Sequence, residues 1–271
     1  MSSMGIILAA VIVVGTGLVI SVLLGIASEK FKVPVDEKEI AVRDCLPGNN
    51  CGGCGYAGCD ALAKAIACGD AAVNACPVGG AVVAEQIGQI MGVEAGDSEK
   101  MVAFVKCAGT CDKAKEKYIY TGIRDCISAV SVPGGGPKAC SYGCTGFGSC
   151  VKVCDFDAIH VVEGIAAVDQ EKCVACGKCV DTCPKSLIEL VPYQDKDVKR
   201  KMPKVHCNNK DMGKLVKGVC SVGCIGCRIC EKQCNFDAVH VENNIARIDY
   251  SKCKGCGLCA MKCPAKIIYV D

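Results

Sequence analysis

The sequence predicts an α+β protein in which one apolar N-terminal helix precedes several small, cysteine-rich domains. Three observations lead to this prediction. Residues 4–27 carry no charge, cysteine makes up 27 of the 271 residues, and a cysteine pattern in residues 140–183 recurs 80 positions later. Only 4% of the residues are aromatic. Small domains of this composition bury little apolar surface, so groups bound by the cysteines are expected to supply much of the stability.

The uncharged run at residues 4–27 predicts a membrane anchor, residues 1–28. It is long enough to cross a hydrocarbon core of about 30 Å as a helix. A signal peptide would have a positive segment and a shorter apolar core, whereas only Met-Ser-Ser precedes this run. Lys30 and Lys32 follow it, and basic residues favour the cytoplasmic side. We therefore predict a single-pass protein of the inner (cytoplasmic) membrane, with the bulk of the chain in the cytoplasm.

Two copies of one cysteine pattern organise the C-terminal half. Each ends in C-x2-C-x2-C-x3-C followed by proline, the spacing of bacterial-type ferredoxins that bind 4Fe–4S clusters. Before it, each copy has a segment that predicts two short strands around a turn, at Glu163–Gly164 and Asn243–Asn244. The copies therefore predict two tandem two-cluster ferredoxin domains, at residues 140–195 and 220–271.

In this spacing three cysteines bind one cluster and the fourth binds its neighbour, which assigns ligands to four clusters. The first copy has Phe147 where the second has Cys227. If the copies are truly alike, Cys220 replaces Cys227, and this alternative stays open. The predicted sets are Cys140, Cys144 and Cys150 with Cys183; Cys154 with Cys173, Cys176 and Cys179; Cys224, Cys227 and Cys230 with Cys263; and Cys234 with Cys253, Cys256 and Cys259.

Residues 29–100 predict a small helical domain that holds one more cluster. Its cysteines are spaced C-x2-C-x4-C-x16-C in a glycine-rich loop that can turn tightly and aim amides at sulfides. Four cysteines also suit zinc, but the glycine-dense loop and the ferredoxin patterns favour iron–sulfur. The remaining Cys45 and Cys68 are expected to be buried free thiols. The predicted ligands are Cys51, Cys54, Cys59 and Cys76.

Residues 101–139 predict a connector that contains Cys107, Cys111 and Cys126. These three either hold a sixth cluster with a borrowed fourth ligand or are spare thiols. Cys207, in a basic linker at residues 196–219, and Cys220 also stay unassigned. The linker is interpreted as solvated, with a docking patch for an acidic carrier as the alternative. The sequence therefore predicts five 4Fe–4S clusters and leaves a sixth open.

No motif for other chemistry accompanies the cysteines. There is no dinucleotide-binding fingerprint, P-loop or H-E-x-x-H sequence, and the net charge of +2 points to no nucleic-acid partner. His160 and His240 occupy matching strand positions, which favours a structural role. We therefore predict no catalytic residue, and an electron carrier whose two-electron chemistry occurs on another subunit.

The order of an apolar helix, the N-terminal cysteine motif and tandem ferredoxin domains resembles the iron–sulfur B subunit of the Rnf complex, over essentially the whole chain. The resemblance implies a subunit at which electrons enter a membrane-bound ferredoxin:NAD oxidoreductase that pumps Na⁺ or H⁺. Reduced soluble ferredoxin would be the donor, and flavin- and NAD-binding partner subunits the acceptors. The alternatives are a membrane-anchored electron-transfer adaptor without ion pumping and a structural zinc or disulfide protein.

Overall fold

A computed structural model describes residues 3–30, 36–96, 100–193 and 201–270. Its first helix, α1, is Ser3–Lys30. Among the described residues, no helix is long and apolar enough to cross a membrane, so the predicted anchor is not confirmed. Most of the basic stretch predicted in the linker, at residues 194–200, lies outside the described residues.

Three helices form the small N-terminal domain: α2 (Glu37–Cys45), α3 (Cys59–Cys68) and α4 (Gly80–Met91). The Asp36 side chain accepts a hydrogen bond from the Lys38 amide and so caps α2. Gly69 ends α3 at φ +81°, a left-handed conformation that favours glycine. One face of each helix packs into a shared core of Val42, Leu62, Ile66 and Ile87.

Two ferredoxin-like units follow, and each contains a β-hairpin flanked by very short helices. The mixed helix and strand content that the sequence predicts is confirmed. In the first unit the elements are β1 (Met101–Val105), α5 (Cys126–Ser131), α6 (Ser149–Lys152), β2 (Ile159–Val162), β3 (Ile165–Val168), α7 (Lys178–Thr182) and β4 (Ile188–Pro192). In the second unit they are β5 (Lys204–Val205), α8 (Gly213–Val219), α9 (Ile229–Lys232), β6 (Val239–Glu242), β7 (Ile245–Ile248), α10 (Leu258–Met261) and β8 (Ile268–Tyr269).

The predicted hairpins are confirmed, in matching register. Strand β2 pairs with β3 and β6 pairs with β7, both antiparallel. The turn residues Glu163, Gly164, Asn243 and Asn244 all have positive φ, between 47° and 78°. Glycine and asparagine tolerate this conformation at little cost. The two copies therefore fold alike locally.

Each unit also contains a second two-stranded sheet, whose two strands are far apart in the sequence. Strand β1 pairs along its full length with β4, and β5 pairs with β8. The pairing continues beyond the strands, because Lys106 N donates to Leu187 O at 2.8 Å and His206 N donates to Ile267 O at 3.0 Å. The segments before Cys107 and Cys207 thus hold equivalent places, one in each unit.

The two units pack against each other along the segment after β1. Ala108 N donates to His206 O at 2.9 Å. The His206 ring lies edge-on between Phe104 and Tyr269, with centroid distances of 4.7 and 4.6 Å. Edge-to-face contacts of this kind favour a defined orientation of the rings. The cysteines that follow β1 and β5 are consequently brought to one place.

Candidate iron–sulfur sites

Within the described residues, most cysteines gather into groups of four. We name each group by its place in the fold. The groups are the N-terminal site (Cys51, Cys54, Cys59, Cys76), the first outer site (Cys154, Cys173, Cys176, Cys179), the first inner site (Cys126, Cys144, Cys150, Cys183), the interface site (Cys107, Cys140, Cys207, Cys220), the second inner site (Cys224, Cys227, Cys230, Cys263) and the second outer site (Cys234, Cys253, Cys256, Cys259).

The N-terminal site is formed by the loop before α3 and the segment that follows it. Cys59 is the first residue of α3, and its amide donates to Asn50 Oδ1 at 2.8 Å. Cys76 Sγ accepts a hydrogen bond from Gly79 N at 3.4 Å. Burial raises the pKa of Cys76, and the nearby Cys59 and Cys54 thiols add to this rise. Three of the four cysteines that the sequence pattern predicts for this domain are thus neighbours, and Cys51, in the same loop, lies on the side of Cys176.

Each outer site combines three cysteines of a loop and short helix with one cysteine from the end of the preceding short helix. Cys154 Sγ accepts from Ala158 N at 3.4 Å, and Cys234 Sγ accepts from Ala238 N at 3.3 Å. Burial raises the pKa of both Cys179 and Cys259 to about 11. The structure thus brings together the cysteines that the ferredoxin spacing assigns to these two groups.

The second inner site also contains the predicted cysteines. Cys224, Cys227, Cys230 and Cys263 line one cavity. Burial raises the pKa of Cys230 to about 12, and the other three cysteines add to it. A thiol with this pKa stays protonated at neutral pH, so a positively charged metal centre must stabilise the thiolate if the group is to act as a ligand.

The first inner site differs from the predicted set in one member. Cys144, Cys150 and Cys183 line a cavity with Cys126, and Cys140 is not among the lining residues. Burial raises the pKa of Cys150 to about 12, and the neighbouring Cys144 and Cys126 thiols add to this rise. In the repeat, Phe147 is the equivalent of Cys227, so the first unit has no sulfur at that position. Cys126 therefore takes the role in the first inner site that Cys227 has in the second.

A local hydrogen-bond network places Cys126. The Asp125 carboxylate accepts from the amides of Ile127 and Ser128, both at 3.1 Å, and so caps α5. Ser149 Oγ donates to Asp125 Oδ1 at 2.6 Å and accepts from Cys126 N at 2.8 Å. Because Ser149 begins α6, which also contains Cys150, the network fixes the connector to the first inner site.

The interface site takes two cysteines from each side of the contact between the units. Cys107 follows β1 and Cys207 follows β5, while Cys140 and Cys220 are equivalent in the 80-residue repeat. All four line one cavity, together with Lys138. Burial raises the pKa of Cys207 to about 12 and also raises the pKa of Cys140 and Cys220. The predicted sets contain no such group.

One polar side chain is buried against this site. Asn209 is 2% exposed, and its Nδ2 donates to Cys140 Sγ at 3.4 Å. Its backbone amide is 3.5 Å from Cys207 Sγ. A sulfur that accepts hydrogen bonds is better suited to carry negative charge, so Asn209 supports thiolates from both units.

Three cysteines remain outside these groups, namely Cys45, Cys68 and Cys111. Cys45 is half-buried beside the N-terminal core, and Cys111 is exposed. Cys68 is exposed as well, so the expectation that it is buried was wrong. It lies at the C-terminal end of α3, where the helix face turns away from the core.

The six sites follow one another in a single series. Cys224 N donates to Cys207 Sγ at 3.3 Å, which joins the second inner site to the interface site, and Cys144 N donates to Cys107 Sγ at 3.4 Å on the other side. Each inner site shares its short helices with the outer site of the same unit. The Gly53 backbone approaches Cys176 so closely that a Cβ atom added to Gly53 would lie 2.7 Å from Cys176 O. The N-terminal site is therefore in contact with the first outer site.

The residues present fit 4Fe–4S clusters. The cavities of the interface site and of the two inner sites are each lined by four cysteines and by mostly apolar surface. Backbone amides donate to cysteine sulfurs at nearly every site, as thiolate ligands require. Among the described residues, no three Cys, His, Asp or Glu side chains are close enough to hold one metal ion.

This arrangement defines an iron–sulfur electron carrier of the bacterial ferredoxin class. Models of known families match three parts of the chain: a putative Fe-S cluster domain at residues 46–78, a 4Fe-4S dicluster domain at residues 172–238 and a 4Fe-4S binding domain at residues 246–269. These matches support the binding of 4Fe–4S clusters that the cysteine spacing predicts.

Whole-chain relatives identify the family. The chain is 48% identical to the B subunit of the Na⁺-translocating ferredoxin:NAD⁺ oxidoreductase complex of Acetobacterium woodii, over 94% of this chain and 75% of the relative. It is 42% identical to the B subunit of an ion-translocating oxidoreductase complex of Methanosarcina acetivorans, over 95% of both chains. A proton-translocating counterpart from Clostridium ljungdahlii is 41% identical, over 93% of this chain and 88% of the relative. The chain belongs to the family of B subunits of ion-translocating oxidoreductase (Rnf) complexes, which confirms the resemblance.

Removing iron should unfold both ferredoxin-like units. Their cores contain the cysteines themselves, among them Cys144 and Cys150 in the first and Cys224 and Cys230 in the second. Two-stranded sheets are marginal in isolation, and bound metal supplies folding free energy. We expect an anaerobic iron chelator to abolish the strand signal in circular dichroism and the protection of amides in β2, β3, β6 and β7. Amide protection that survives complete loss of iron would contradict this expectation, and reductant without chelator is the control.

Proposed function

We propose that this chain is the subunit at which electrons enter a membrane-bound ferredoxin:NAD oxidoreductase that translocates Na⁺ or H⁺. It accepts electrons from reduced soluble ferredoxin and relays them to flavin- and NAD-binding partner subunits. Relatives over nearly the whole chain carry the names of B subunits of sodium- and proton-translocating ferredoxin:NAD⁺ oxidoreductase complexes, and these names support the proposal.

The observation that carries the proposal is the unbroken series of six four-cysteine sites. When bound, 4Fe–4S clusters supply one-electron transfer. The chain's own residues bury or half-bury most of these cysteines, donate amide hydrogen bonds to their sulfurs and keep neighbouring sites in contact. We propose six clusters, with Cys107, Cys140, Cys207 and Cys220 as ligands of the interface site and Cys126 as a ligand of the first inner site.

We further propose that residues 4–27 anchor the chain in the inner membrane as a single span, with the cysteine-rich part on the cytoplasmic side. The uncharged run and the lysines that follow it support this. Side chains of α1 such as Ile12, Val13 and Leu24 are more than half exposed, and a soluble protein rarely exposes so continuous an apolar surface. In this proposal the first unit begins at β1 and the second at β5, rather than at residues 140 and 220 as predicted from the sequence, because these strands pair with β4 and β8.

The proposed donor can be tested directly. We expect reduced ferredoxin, mixed anaerobically with the purified full chain, to bleach the visible absorbance of the clusters in proportion to the electrons added. Oxidised ferredoxin is the control. If reduced ferredoxin leaves the clusters oxidised while dithionite reduces them, the clusters exist but ferredoxin is not the donor, and the proposed role fails.

A further inference from the structure

The two ferredoxin-like units differ in the charges buried beside their cysteines. Lys138 is 5% exposed, and its Nζ donates to Gly109 O at 2.8 Å and Gly164 O at 2.7 Å. Lys185 is half-buried, and its Nζ donates to Gly143 O at 3.0 Å. At the equivalent positions, 80 residues later, the second unit has Gly218 and Ala265. Two cations of the first unit thus have no counterpart at these positions in the second.

Both lysines lie next to proposed ligands. Lys138 lines the interface cavity, and Lys185 lines the cavity of the first inner site. The hydrogen-bond acceptors of both ammonium groups are backbone carbonyl oxygens, which carry no net charge. Lys185 also faces Cys140 and Cys107 of the interface site. The two positive charges therefore lie beside two adjacent sites, namely the first inner site and the interface site between the units.

Two further charges near these sites are paired. Lys106, beside the interface cavity, bonds to Glu189 at 2.7 Å. Asp125, beside Cys126, is 3.8 Å from Lys152 and accepts amide hydrogen bonds. Two more lysines lie nearby: Lys117 donates to Gly134 O, and the buried Lys204 lies over the Phe104 ring at 5.8 Å. Neither of them lines the cavity of the interface site or of the first inner site, as Lys138 and Lys185 do.

The second inner site has a different environment. Arg228 lines its cavity, but the Arg228 side chain is 62% exposed and lies 3.8 Å from the Glu231 carboxylate. Solvent and a neighbouring carboxylate both screen an exposed charge, whereas a buried charge acts through a lower dielectric constant. Glu231 itself is only 28% exposed, and in the first unit its position is occupied by the neutral Val151.

We propose that Lys138 and Lys185 raise the reduction potentials of the interface site and the first inner site above that of the second inner site. Reduction adds one negative charge, which a nearby buried cation stabilises. Electrons that arrive at the second inner site therefore move downhill through the interface site to the first inner site. The inference rests on the proposed electron relay and gives it a direction. The two lysines act through their charge and are not ligands.

An exchange of charge between the units tests the proposal. Lys185→Met removes the charge and keeps the length of the side chain, Lys185→Arg keeps the charge, and Ala265→Lys places a charge at the equivalent position of the second unit. Each full-length protein is titrated anaerobically, with reduced clusters followed by electron paramagnetic resonance. At a fixed potential, Lys185→Met should lower the reduced-to-oxidised ratio of one cluster about tenfold, which is 59 mV for a one-electron couple. Ala265→Lys should raise the ratio of a different cluster by a similar factor, and Lys185→Arg should change neither.

Iron and sulfide contents separate the outcomes. If the unaltered protein holds no iron, the electron relay itself fails. If iron is retained and the potentials of both Lys185→Met and Ala265→Lys equal those of the unaltered protein, the direction set by the lysines is overturned while the relay stands. Should Lys185→Met lose iron, Ala265→Lys decides alone, since an unchanged potential in that variant also overturns the proposal.

Discussion

Replacing Cys220 with alanine is expected to remove about four irons, one cluster, and to divide the electron relay in two. The reason is the composition of the interface site, to which each unit contributes two cysteines, three of the four being buried. With one ligand removed, the clusters of the second unit lose their connection to those of the first. Cys140→Ala should behave in the same way, although it lies in the other repeat. Cys111→Ala is the matched control, because Cys111 is exposed and belongs to no group.

The division can be measured by rapid mixing with a reductant. In the Cys220→Ala protein, the clusters on one side of the gap should be reduced promptly and those on the other side slowly, whichever end accepts the electrons. Iron and sulfide are determined on the same samples. Uniform fast reduction with unchanged iron content would show that these four cysteines do not form a site.

The second large effect is expected at Cys126. Cys126→Ala should also lose about four irons, because it supplies the sulfur that the first unit lacks at Phe147. The repeat suggests a rescue. The double variant Cys126→Ala/Phe147→Cys recreates the cysteine arrangement of the second unit and should regain the iron that the single variant loses.

Two observations would contradict the role of Cys126. One is full iron content in Cys126→Ala, and the other is a double variant that folds but recovers no iron. Phe147→Cys alone is the control, and it should retain its iron. Its cost should be small, since Phe147 is only half-buried and its ring lies tilted beside Tyr120 at a centroid distance of 5.2 Å.

Local spacing was sufficient to predict much of this molecule. A hairpin depends on neighbouring residues, and Asn243 and Asn244 are suited to the positive φ that the turn requires. The outer sites likewise combine a short loop with the end of the preceding short helix, so the spacing of Cys173, Cys176 and Cys179 nearly determines the group. Because of the 80-residue repeat, each of these predictions applies to both units.

The other ligands come together only through tertiary contacts. Cys126 reaches the first inner site through Asp125 and Ser149, a network that no spacing rule describes. Cys107 and Cys207 are placed by β1 and β5, whose partner strands follow much later in the chain. A signal was nevertheless present in the sequence.

That signal combines the 80-residue repeat of the ferredoxin pattern with the 100-residue separation of Cys107 and Cys207. The second unit has a full set of four without Cys220, so its equivalent in the repeat, Cys140, should not belong to the first inner set either. Cys107 and Cys207 stand 100 positions apart, each just after a strand that closes its unit. Together these relations point to a site at the boundary between the units.

The iron and acid-labile sulfide content of the full chain, purified without oxygen, tests the central claim most directly. Six sites predict about 24 irons and as many sulfides per chain, four for each cluster. About 20 irons would mean that one of the six cysteine groups, most directly the interface group, holds no cluster. Zinc in place of iron would contradict the electron relay as a whole.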